Sequence, residues 1–375
     1  MKIVFLSWRD LAHPLAGGSE VLVDRLARGL LEHGHEVSLV CGGPVANRPY
    51  QIRDGGGTYS QYLRAPATYM RRFRDHDLVI DVANGMTFFT PLWRRRPVIC
   101  LVNHVHTSQW GQWFPRPIAA LGRSLERRAM PRVYRGHLFV AVSASTAASL
   151  EAIGVAPDLI RIVPNGTDPV PASHPKSREP LFLSLGRLVP HKRVDLLLEA
   201  WEQVRPRVGG RLVIAGTGPE AARLTAMAGE RVEFVGRVSE ADKQRLLSEA
   251  WLLLHPAMFE GWGLVVMEAA AAGTPTVGFD VLGLRDSVAH AKTGMLADCR
   301  ESFLEYWIAL AEDTHRRSTM GLLARQRAAR YSWSSSVERF LSVAEEAVAD
   351  RPARVPLPVS AALARSGTPR SVPPW

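Results

Sequence analysis

Short apolar runs alternate with helix-like patterns along most of the chain. In the first 170 residues, six runs have the length and composition of buried strands. They are Lys2–Ser7, Glu36–Val40, Leu78–Val82, Pro97–Val102, Leu138–Val142 and Ile160–Val163. After the first run, a helix is predicted over Ser19–Glu32, with apolar side chains on one face at Val21, Leu22, Leu26 and Leu30. Strands separated by helices predict a parallel sheet covered on both faces.

The same alternation begins again after Val170–Pro180, a proline-rich segment that we interpret as a linker. The later predicted strands are Leu181–Leu185, Arg211–Ala215, Val232–Val235, Trp251–His255 and Pro275–Phe279. The later predicted helices are Arg193–Val204, Pro219–Ala228, Glu240–Glu249, Leu264–Ala272 and Glu338–Ala349. We therefore expect an α/β fold with two Rossmann-like doubly wound domains, 1–172 and 180–333, facing each other across a cleft. Segment 351–375, rich in proline and arginine, is expected to be disordered.

Composition fits this expectation. The chain has 375 residues, 46% apolar and 22% charged, enough for two domains with their own cores. No apolar run approaches the roughly 18 residues that cross a bilayer, and the first residues read as a strand rather than a signal peptide. Cys41, Cys100 and Cys299 are odd in number and widely spaced, so they predict neither disulfides nor a metal motif and favour a reducing cytoplasm.

Positive charge is concentrated in the first half of the chain. The net charge is +10, and residues 60–140 contain thirteen arginines but only four acidic residues. The arginines are Arg64, Arg71, Arg72, Arg74, Arg94, Arg95, Arg96, Arg116, Arg123, Arg127, Arg128, Arg132 and Arg135. A basic face suits anionic lipid, whereas nucleic acid is disfavoured because no binding module accompanies the charge. Solvated surface arginine is the alternative interpretation.

Two glutamates follow the predicted strand that ends at His255. Glu260 precedes a turn with Gly261 and Gly263, and Glu268 lies eight positions later in the helix that begins at Leu264. The start of a helix presents unpaired N–H groups that favour phosphate. A carboxylate in the second turn is suited to accept hydrogen bonds from hydroxyl groups. Taken alone, the pair is equally consistent with a solvated helix.

Other candidate residues also follow predicted strands, where open α/β sheets bind ligands. Two permanent cations, Arg187 and Lys192, follow the strand that ends at Leu185, next to Gly186. Such cations can neutralise a diphosphate whose charge grows as its substituent leaves. Their alternative is a pair of surface cations.

Glycine-rich turns follow two further strands. Gly17 and Gly18 precede the first helix and allow close backbone approach to an anion, although they are also an ordinary helix start. Gly216 lies in a turn that can accept a nucleotide but lacks the third glycine of the dinucleotide fingerprint, so NAD is not predicted.

Two histidines, His104 and His106, end another predicted strand. No further ligands stand at metal-binding spacing, so a packed or substrate-contacting role is expected rather than a metal site. Asp75 and Asp77 have the spacing that some metal-dependent transferases use for Mn²⁺. They precede their strand, however, and therefore lie at the wrong sheet edge for ligands.

Together, the E-x7-E pair and the R-x4-K pair at successive strand ends resemble the retaining GT-B glycosyltransferases of family 4. The resemblance extends from Gly17 to the Tyr331-Ser-Trp333 segment. One departure is the loop after Gly283, where the family usually has paired glycines and an acid before the valine. The resemblance also implies that a C-terminal helix, 334–350, returns to the first domain.

The resemblance implies a role for each matching residue. Arg187 and Lys192 would stabilise the departing diphosphate, helped by N–H groups near Gly263 and Leu264. Glu260 would contact the donor sugar and Glu268 the ribose, while one of His104 and His106 would touch the sugar. The implied nucleotide-side residues are Gly17, Gly18, Gly186, Gly216, Val235, Arg237, Val238 and Gly261. Trp8, Trp110, Trp113 and Phe114 are either acceptor-side or core residues.

The expected reaction is metal-independent transfer of a hexosyl group, with retention, from a nucleotide diphosphate sugar to a hydroxyl acceptor. GDP-mannose and UDP-glucose are the favoured donors, and a lipid-linked or cell-envelope glycan is the expected acceptor, by analogy alone. No cofactor is expected. The expected location is the cytoplasm, with peripheral attachment to the inner membrane face as the further expectation. The alternatives are a nucleotide-sugar epimerase of the same fold and a non-catalytic subunit that binds nucleotide sugar.

Overall fold

The computed structural model describes residues 1–95, 97–170 and 174–349. The first domain is built on a seven-stranded parallel sheet with strand order β3-β2-β1-β4-β5-β6-β7. Its strands are β1 Lys2–Arg9, β2 Glu36–Gly42, β3 Gln51–Asp54, β4 Leu78–Ala83, β5 Val98–Val102, β6 Leu138–Ala141 and β7 Ile160–Ile162. Strands β4 and β5 are buried at every position because helices cover both faces of the sheet.

Six helices from the described part of the first 170 residues accompany this sheet. They are α1 Gly18–Glu32, α2 Ser60–Arg72, α3 Trp110–Trp113, α4 Arg116–Ser124, α5 Met130–Val133 and α6 Ala144–Ala152. A π-helical turn, Leu125–Ala129, joins α4 to α5. Helix α1 buries Leu22, Leu26 and Leu30, as its apolar periodicity predicts.

The second domain has a six-stranded parallel sheet with order β10-β9-β8-β11-β12-β13. Its strands are β8 Leu181–Leu185, β9 Arg211–Ala215, β10 Val232–Gly236, β11 Leu252–His255, β12 Thr276–Phe279 and β13 Gly294–Ala297. Its helices are α7 Val194–Val208, α8 Ala221–Ala226, α9 Glu240–Glu249, α10 Leu264–Ala271, α11 Leu282–Ser287, α12 Arg300–Glu312 and α13 Thr314–Ala328. Stacked Trp201 and Trp307 lie in its core.

Helix α14, Trp333–Ala349, returns to the first domain and packs against α1, β4 and β5. Its Phe340 ring lies 6.2 Å from that of Phe5, and Ser336 Oγ donates to the carbonyl of Pro164 at 2.7 Å. A side chain at Gly29 would overlap with Val337, so glycine lets α1 and α14 approach closely. The C-terminal helix therefore belongs to the core of the first domain.

The α/β fold class with two Rossmann-like domains is confirmed. The sequence prediction missed several strands and helices and misplaced the ends of others. Strands β3 and β13 were not predicted, nor were helices α2, α3, α4, α5, α6, α11, α12 and α13. Helix α7 continues through Pro206 to Val208, past its predicted end at Val204. Helix α8 is shorter than Pro219–Ala228, and α14 begins at Trp333 rather than Glu338. The predicted disordered tail, 351–375, and part of the predicted linker, 171–173, lie outside the described residues.

Among the helices described, none has the length and apolar character needed to span a membrane.

Candidate active site

The carboxyl ends of the two sheets face each other across a narrow cleft. Arg187, after β8, donates from Nη1 to the carbonyl of Leu15 in the first domain at 3.3 Å. A Cβ at Gly17 would lie 3.2 Å from Arg187 Nε, and a Cβ at Gly261 would overlap with the carbonyl of Asn103. Glycine at position 261 therefore allows the two domains to meet backbone to backbone, and glycine at position 17 leaves room for the Arg187 guanidinium.

Glu260 lies at the centre of the cleft and binds two basic groups. Its Oε2 lies 2.7 Å from Lys192 Nζ and 3.1 Å from His255 Nε2, while its Oε1 accepts a hydrogen bond from the backbone N–H of Gly261 at 3.3 Å. Burial opposes the charge on Glu260, but the Lys192 ammonium and His255 outweigh it and hold the pKa of the carboxyl well below its usual value. Glu260 is therefore an anion across the physiological range.

Arg187 adds a second cation to this region. Burial lowers the pKa of its guanidinium, and nearby Arg9 acts in the same direction, whereas Glu20 and Glu260 favour the charged form. Glu20 itself forms a buried ion pair with Arg9 at 3.0 Å and accepts from the N–H of Gly17 at 2.7 Å. The glycine turn before α1 is thus fixed beside Arg187.

Two glycine turns lie at the carboxyl edge of the sheet of the second domain. Gly263, with φ +85°, precedes α10, and its left-handed conformation favours glycine. The first N–H groups of α10 have no partner within the helix, and the helix begins four residues after Glu260 in the chain. A Cβ at Gly216 would overlap with the carbonyl of Gly186, so the turns after β8 and β9 pack tightly together.

Glu268 lies further along α10 and binds Lys243 of α9. Lys243 Nζ lies 2.7 Å from Glu268 and 3.0 Å from Glu240. Burial raises the pKa of the Glu268 carboxyl, and Lys243 partly counters this effect. The Glu268 side chain keeps 26% exposure.

The two histidines after β5 stack on each other, with ring centroids 3.8 Å apart, but face different groups. His104 bonds to Gln109 Oε1 at 3.3 Å, and Glu260, Lys192 and Arg187 act on its charge. His106 instead lies beside Glu126, with its Nδ1 3.9 Å from Oε1. Of the two, His104 therefore lies towards the cleft centre. Burial lowers the pKa of both imidazoles.

The predicted aromatic residues have separate positions. Trp110 donates to Glu126 at 3.1 Å and packs on Phe114, whereas the Arg9 guanidinium lies over the Trp8 ring. Trp113 is 48% exposed, and its ring lies 5.8 Å from that of His191 in the opposite domain. Trp113 is thus the member of this group that reaches across the cleft.

Val235 lies in β10 and Arg237 directly follows this strand. Both were predicted on the nucleotide side. Arg237 Nη2 donates to the carbonyl of Pro14 at 2.9 Å and so joins the two domains. Val235 is 41% exposed, whereas Val238 packs on a core cluster. Gly18 faces Leu264, because a Cβ added at Gly18 would lie 3.2 Å from Leu264 Cδ1.

Sequence reasoning missed several residues that the fold brings to the cleft. Lys243 had one signal, its placement three positions after Glu240 on a predicted helix. His255 stood at the end of a predicted strand, and His191 stood beside Lys192. Ser145, at the start of α6, donates from Oγ to the carbonyl of Leu282 at 2.8 Å. No local sequence pattern predicts this contact, because it joins segments that are distant along the chain.

Asp75 and Asp77 lie at the opposite edge of the first sheet. The Asp77 carboxylate accepts from the N–H of Lys2 at 2.8 Å, at the amino ends of β1 and β4. Within the described residues, no group of three or more histidine, cysteine or acidic side chains is arranged to hold a metal ion.

Two family models match the chain in succession. Residues 16–170 match "Glycosyltransferase Family 4", and residues 168–327 match "Glycosyl transferases group 1". The chain is 27% identical to a GDP-mannose-dependent alpha-(1-6)-phosphatidylinositol dimannoside mannosyltransferase of Mycobacterium tuberculosis, over 88% of this chain and 92% of the relative. It is 32% identical to a D-inositol 3-phosphate glycosyltransferase of Nocardia farcinica, over 51% of this chain and 48% of that relative. The chain thus spans about half the length of the latter relative.

Solved structures share the fold. The Anabaena protein HepE, crystallised with UDP and glucose, superposes with a TM-score of 0.75 at 18% identity, over 92% of this chain and 100% of that chain. Sucrose-phosphate synthase from Thermosynechococcus elongatus has a TM-score of 0.79 at 18% identity, over 93% and 99% of the two chains. Because the two family models together span both domains and the architecture matches, the chain belongs to the GT-B glycosyltransferases of the family 4 type.

Proposed function

We propose that the protein transfers a hexosyl group from a nucleotide diphosphate sugar to a hydroxyl acceptor. The observation that supports this most directly is the convergence of Arg187, Lys192 and Glu260 beside the start of α10. Two cations and a helix N-terminus suit a diphosphate, and an adjacent ionised carboxylate suits sugar hydroxyls.

Each member of the Lys192–Glu260 pair would find a partner on a bound donor. Lys192 and Arg187 would bind the diphosphate oxygens, while the N–H groups at Gly263 and Leu264 would contact the same phosphates. Glu260 would accept from the sugar hydroxyls and Glu268 from the ribose hydroxyls. His104, being closer to the cleft centre than His106, would contact the sugar.

We propose that transfer retains the anomeric configuration. The acceptor oxygen forms its bond to the anomeric carbon on the face from which the diphosphate departs, and the acceptor proton passes to a phosphate oxygen. The charge that accumulates on the diphosphate is stabilised by Arg187 and Lys192, so no metal ion would be needed for that step. Closure of the domains excludes water and limits hydrolysis of the donor.

GDP-mannose is the first donor to test, because the near-full-length relative is named as GDP-mannose-dependent. UDP-glucose is the second, since HepE has been crystallised with it. The proposed acceptor is a lipid-linked or cell-envelope glycan, since that same relative acts on a phosphatidylinositol dimannoside. The proposed location is the cytoplasm, at the inner face of the membrane.

A thermal-shift panel of GDP, UDP, ADP and TDP identifies the base, because a ligand that binds the folded state raises the melting temperature. Transfer is then measured with the matching radiolabelled nucleotide sugar and a lipid extract as acceptor. Labelled lipid supports the proposal. A new nucleotide sugar or free sugar formed from donor and water alone would indicate an epimerase instead. Binding without turnover in any assay would indicate a non-catalytic subunit.

A further inference from the structure

We propose that the outer face of the first domain docks on an anionic membrane, and that a cavity lined by Arg123, Arg127 and Arg128 receives a lipid phosphate headgroup. This inference concerns a surface outside the cleft and is tested without any glycosyl transfer. It therefore succeeds or fails independently of the proposed reaction.

The cavity lies between α4, the π-helical turn after it and the end of α6. It has a volume of about 360 Å³, is open to solvent and is lined by the three arginines with Ser124, Ala120 and Ile153. Guanidinium groups bind phosphate oxygens in paired hydrogen bonds, and the serine hydroxyl can donate another. Its chemistry is that of an anion site with one apolar wall.

Within the residues described here, no ion pair joins Arg123, Arg127 or Arg128 to a carboxylate, whereas Arg211 pairs with Glu233 at 2.9 Å and Arg300 with Glu199 at 2.9 Å. Three neighbouring cations without counter-charges repel one another, and a phosphate bound among them would relieve that repulsion.

Exposed apolar side chains stand beside the cavity. On α4, Ile118 is 51% exposed and Leu121 is 60% exposed. They lie three positions apart and so share one side of the helix. Aliphatic side chains flanked by arginine are typical of helices that lie in the membrane interface, with the apolar groups at the acyl boundary.

Helix α2 extends the same surface. Its Ala65 and Tyr69 pack in one core cluster with Met130 and Tyr134 of the α5 region, so both helices cover the same face of the first sheet. On the outer side of α2, Leu63 is 87% exposed and Met70 is 54% exposed. Neighbouring arginines on α2 are exposed as well: Arg64, Arg71 and Arg72. The sheet's other face is covered by α1 and α14.

A lipid surface fits these features better than nucleic acid does. Binding of single strands relies on aromatic side chains that stack on bases, whereas the residues beside this cavity are aliphatic. The surface also borders the cleft, since α3 leads from Trp113, which faces His191, directly into α4. A docked domain would hold the mouth of the cleft beside the membrane.

The test is co-sedimentation of the full-length chain with vesicles. We expect binding to phosphatidylcholine vesicles that contain phosphatidylglycerol, little binding to pure phosphatidylcholine, and loss of binding as salt rises. A basic residue near an anionic surface contributes about fivefold to partitioning, so the triple variant R123Q/R127Q/R128Q should bind on the order of a hundredfold more weakly. The I118S/L121S variant should also bind more weakly.

The matched control is R178Q/R330Q/R339Q, which removes the same charge from three exposed arginines elsewhere. It should bind vesicles like the unmodified chain. Equal losses in both triple variants would show that only total charge matters and would overturn the proposal, as would undiminished binding by the cavity variant. Binding of free inorganic phosphate without vesicle binding, or preference for single-stranded nucleic acid over vesicles, would likewise overturn it. Far-ultraviolet circular dichroism and melting temperature verify that each variant folds.

Discussion

Lys192 Nζ lies 2.7 Å from Glu260 Oε2, and this contact joins the R-x4-K loop to the E-x7-E loop. Both side chains are largely buried, with 19% and 18% exposure, so each charge depends on the other. Removal of either one leaves the other poorly compensated, although His255 still contacts Glu260. The pair is thus a single electrostatic unit, and the consequences of breaking it differ according to which member is removed.

Substitution Glu260→Gln should leave nucleotide diphosphate binding nearly intact but lower kcat/KM for transfer by about 10²- to 10³-fold, the range for loss of one preorganised polar contact to the reacting group. The amide keeps the size of the side chain but loses the charge proposed to accept hydrogen bonds from the sugar hydroxyls, while Lys192 keeps its proposed role at the phosphates. Steady-state transfer kinetics and calorimetric titration with the diphosphate measure the two effects.

Glu312→Gln is the control for this variant, because Glu312, on α12, forms an exposed ion pair with Arg207 of α7. It should retain full activity. Unchanged transfer in the Glu260 variant would contradict the catalytic assignment and favour a subunit that only binds nucleotide sugar.

Substitution Lys243→Met should shift the acidic limb of donor binding to higher pH. Burial already raises the pKa of Glu268, and Lys243 is the group that counters it. Without the ammonium that pKa rises further, so the carboxylate proposed to bind the ribose is lost at a higher pH. The KM for the donor, measured across the acidic range, reports the shift. The control Lys292→Met, at an exposed loop lysine, should leave the profile unchanged.

The same variant has a stability signature. A carboxyl whose folded pKa is raised contributes its stability below the unfolded value of about 4.3, and this contribution is lost as pH rises through the folded pKa. The melting temperature of Lys243→Met should therefore fall further below that of the unmodified chain at neutral pH than near pH ~4. An equal fall at both values would show that Lys243 acts by packing alone.

Substitution Gly261→Ala should prevent the domains from closing. An added Cβ would overlap with the carbonyl of Asn103 across the cleft, and backbone atoms on both sides cannot move aside cheaply. We expect transfer to fall at least tenfold, with an increased radius of gyration in small-angle scattering and with each domain still folded. At the control position, Gly57→Ala, a Cβ would meet only Ser60 Oγ at 3.4 Å. Wild-type compactness in Gly261→Ala would contradict this account.

Much of the fold could be predicted because buried parallel strands consist of continuous apolar runs in the sequence. Leu181–Leu185 and Arg211–Ala215 match the structure residue for residue. Strand β3 was missed because Gln51–Asp54 lies at the sheet edge and three of its four residues are polar. Helix α7 passes through Pro206, where a sequence rule places a helix end, because the proline stands in its last turn.

The site could be predicted only in part, for a different physical reason. Four candidate residues follow strands in the sequence: Arg187, Lys192, Glu260 and Glu268. The order of the elements therefore predicts that they lie at the carboxyl edge of the sheet. The partners of the two glutamates could not be predicted. Lys243 reaches Glu268, and His255 reaches Glu260, only because separate elements pack together. The approach of Gly261 to Asn103 joins different domains and has no counterpart in local sequence.

The last prediction concerns the acid side of stability and His106. Burial and the neighbouring His104 hold the pKa of His106 well below 6.5. A depressed folded pKa stabilises the protein above the unfolded value, and that stability is lost as pH falls below about 6.5, by up to about 1.4 kcal/mol per pH unit for one group. The free energy of unfolding, from urea titrations between pH ~7.5 and ~5.5, should therefore fall less steeply in His106→Gln. His315→Gln, at an exposed histidine of α13, should keep the original slope, and identical slopes in both variants would exclude His106 as a source of the acid sensitivity.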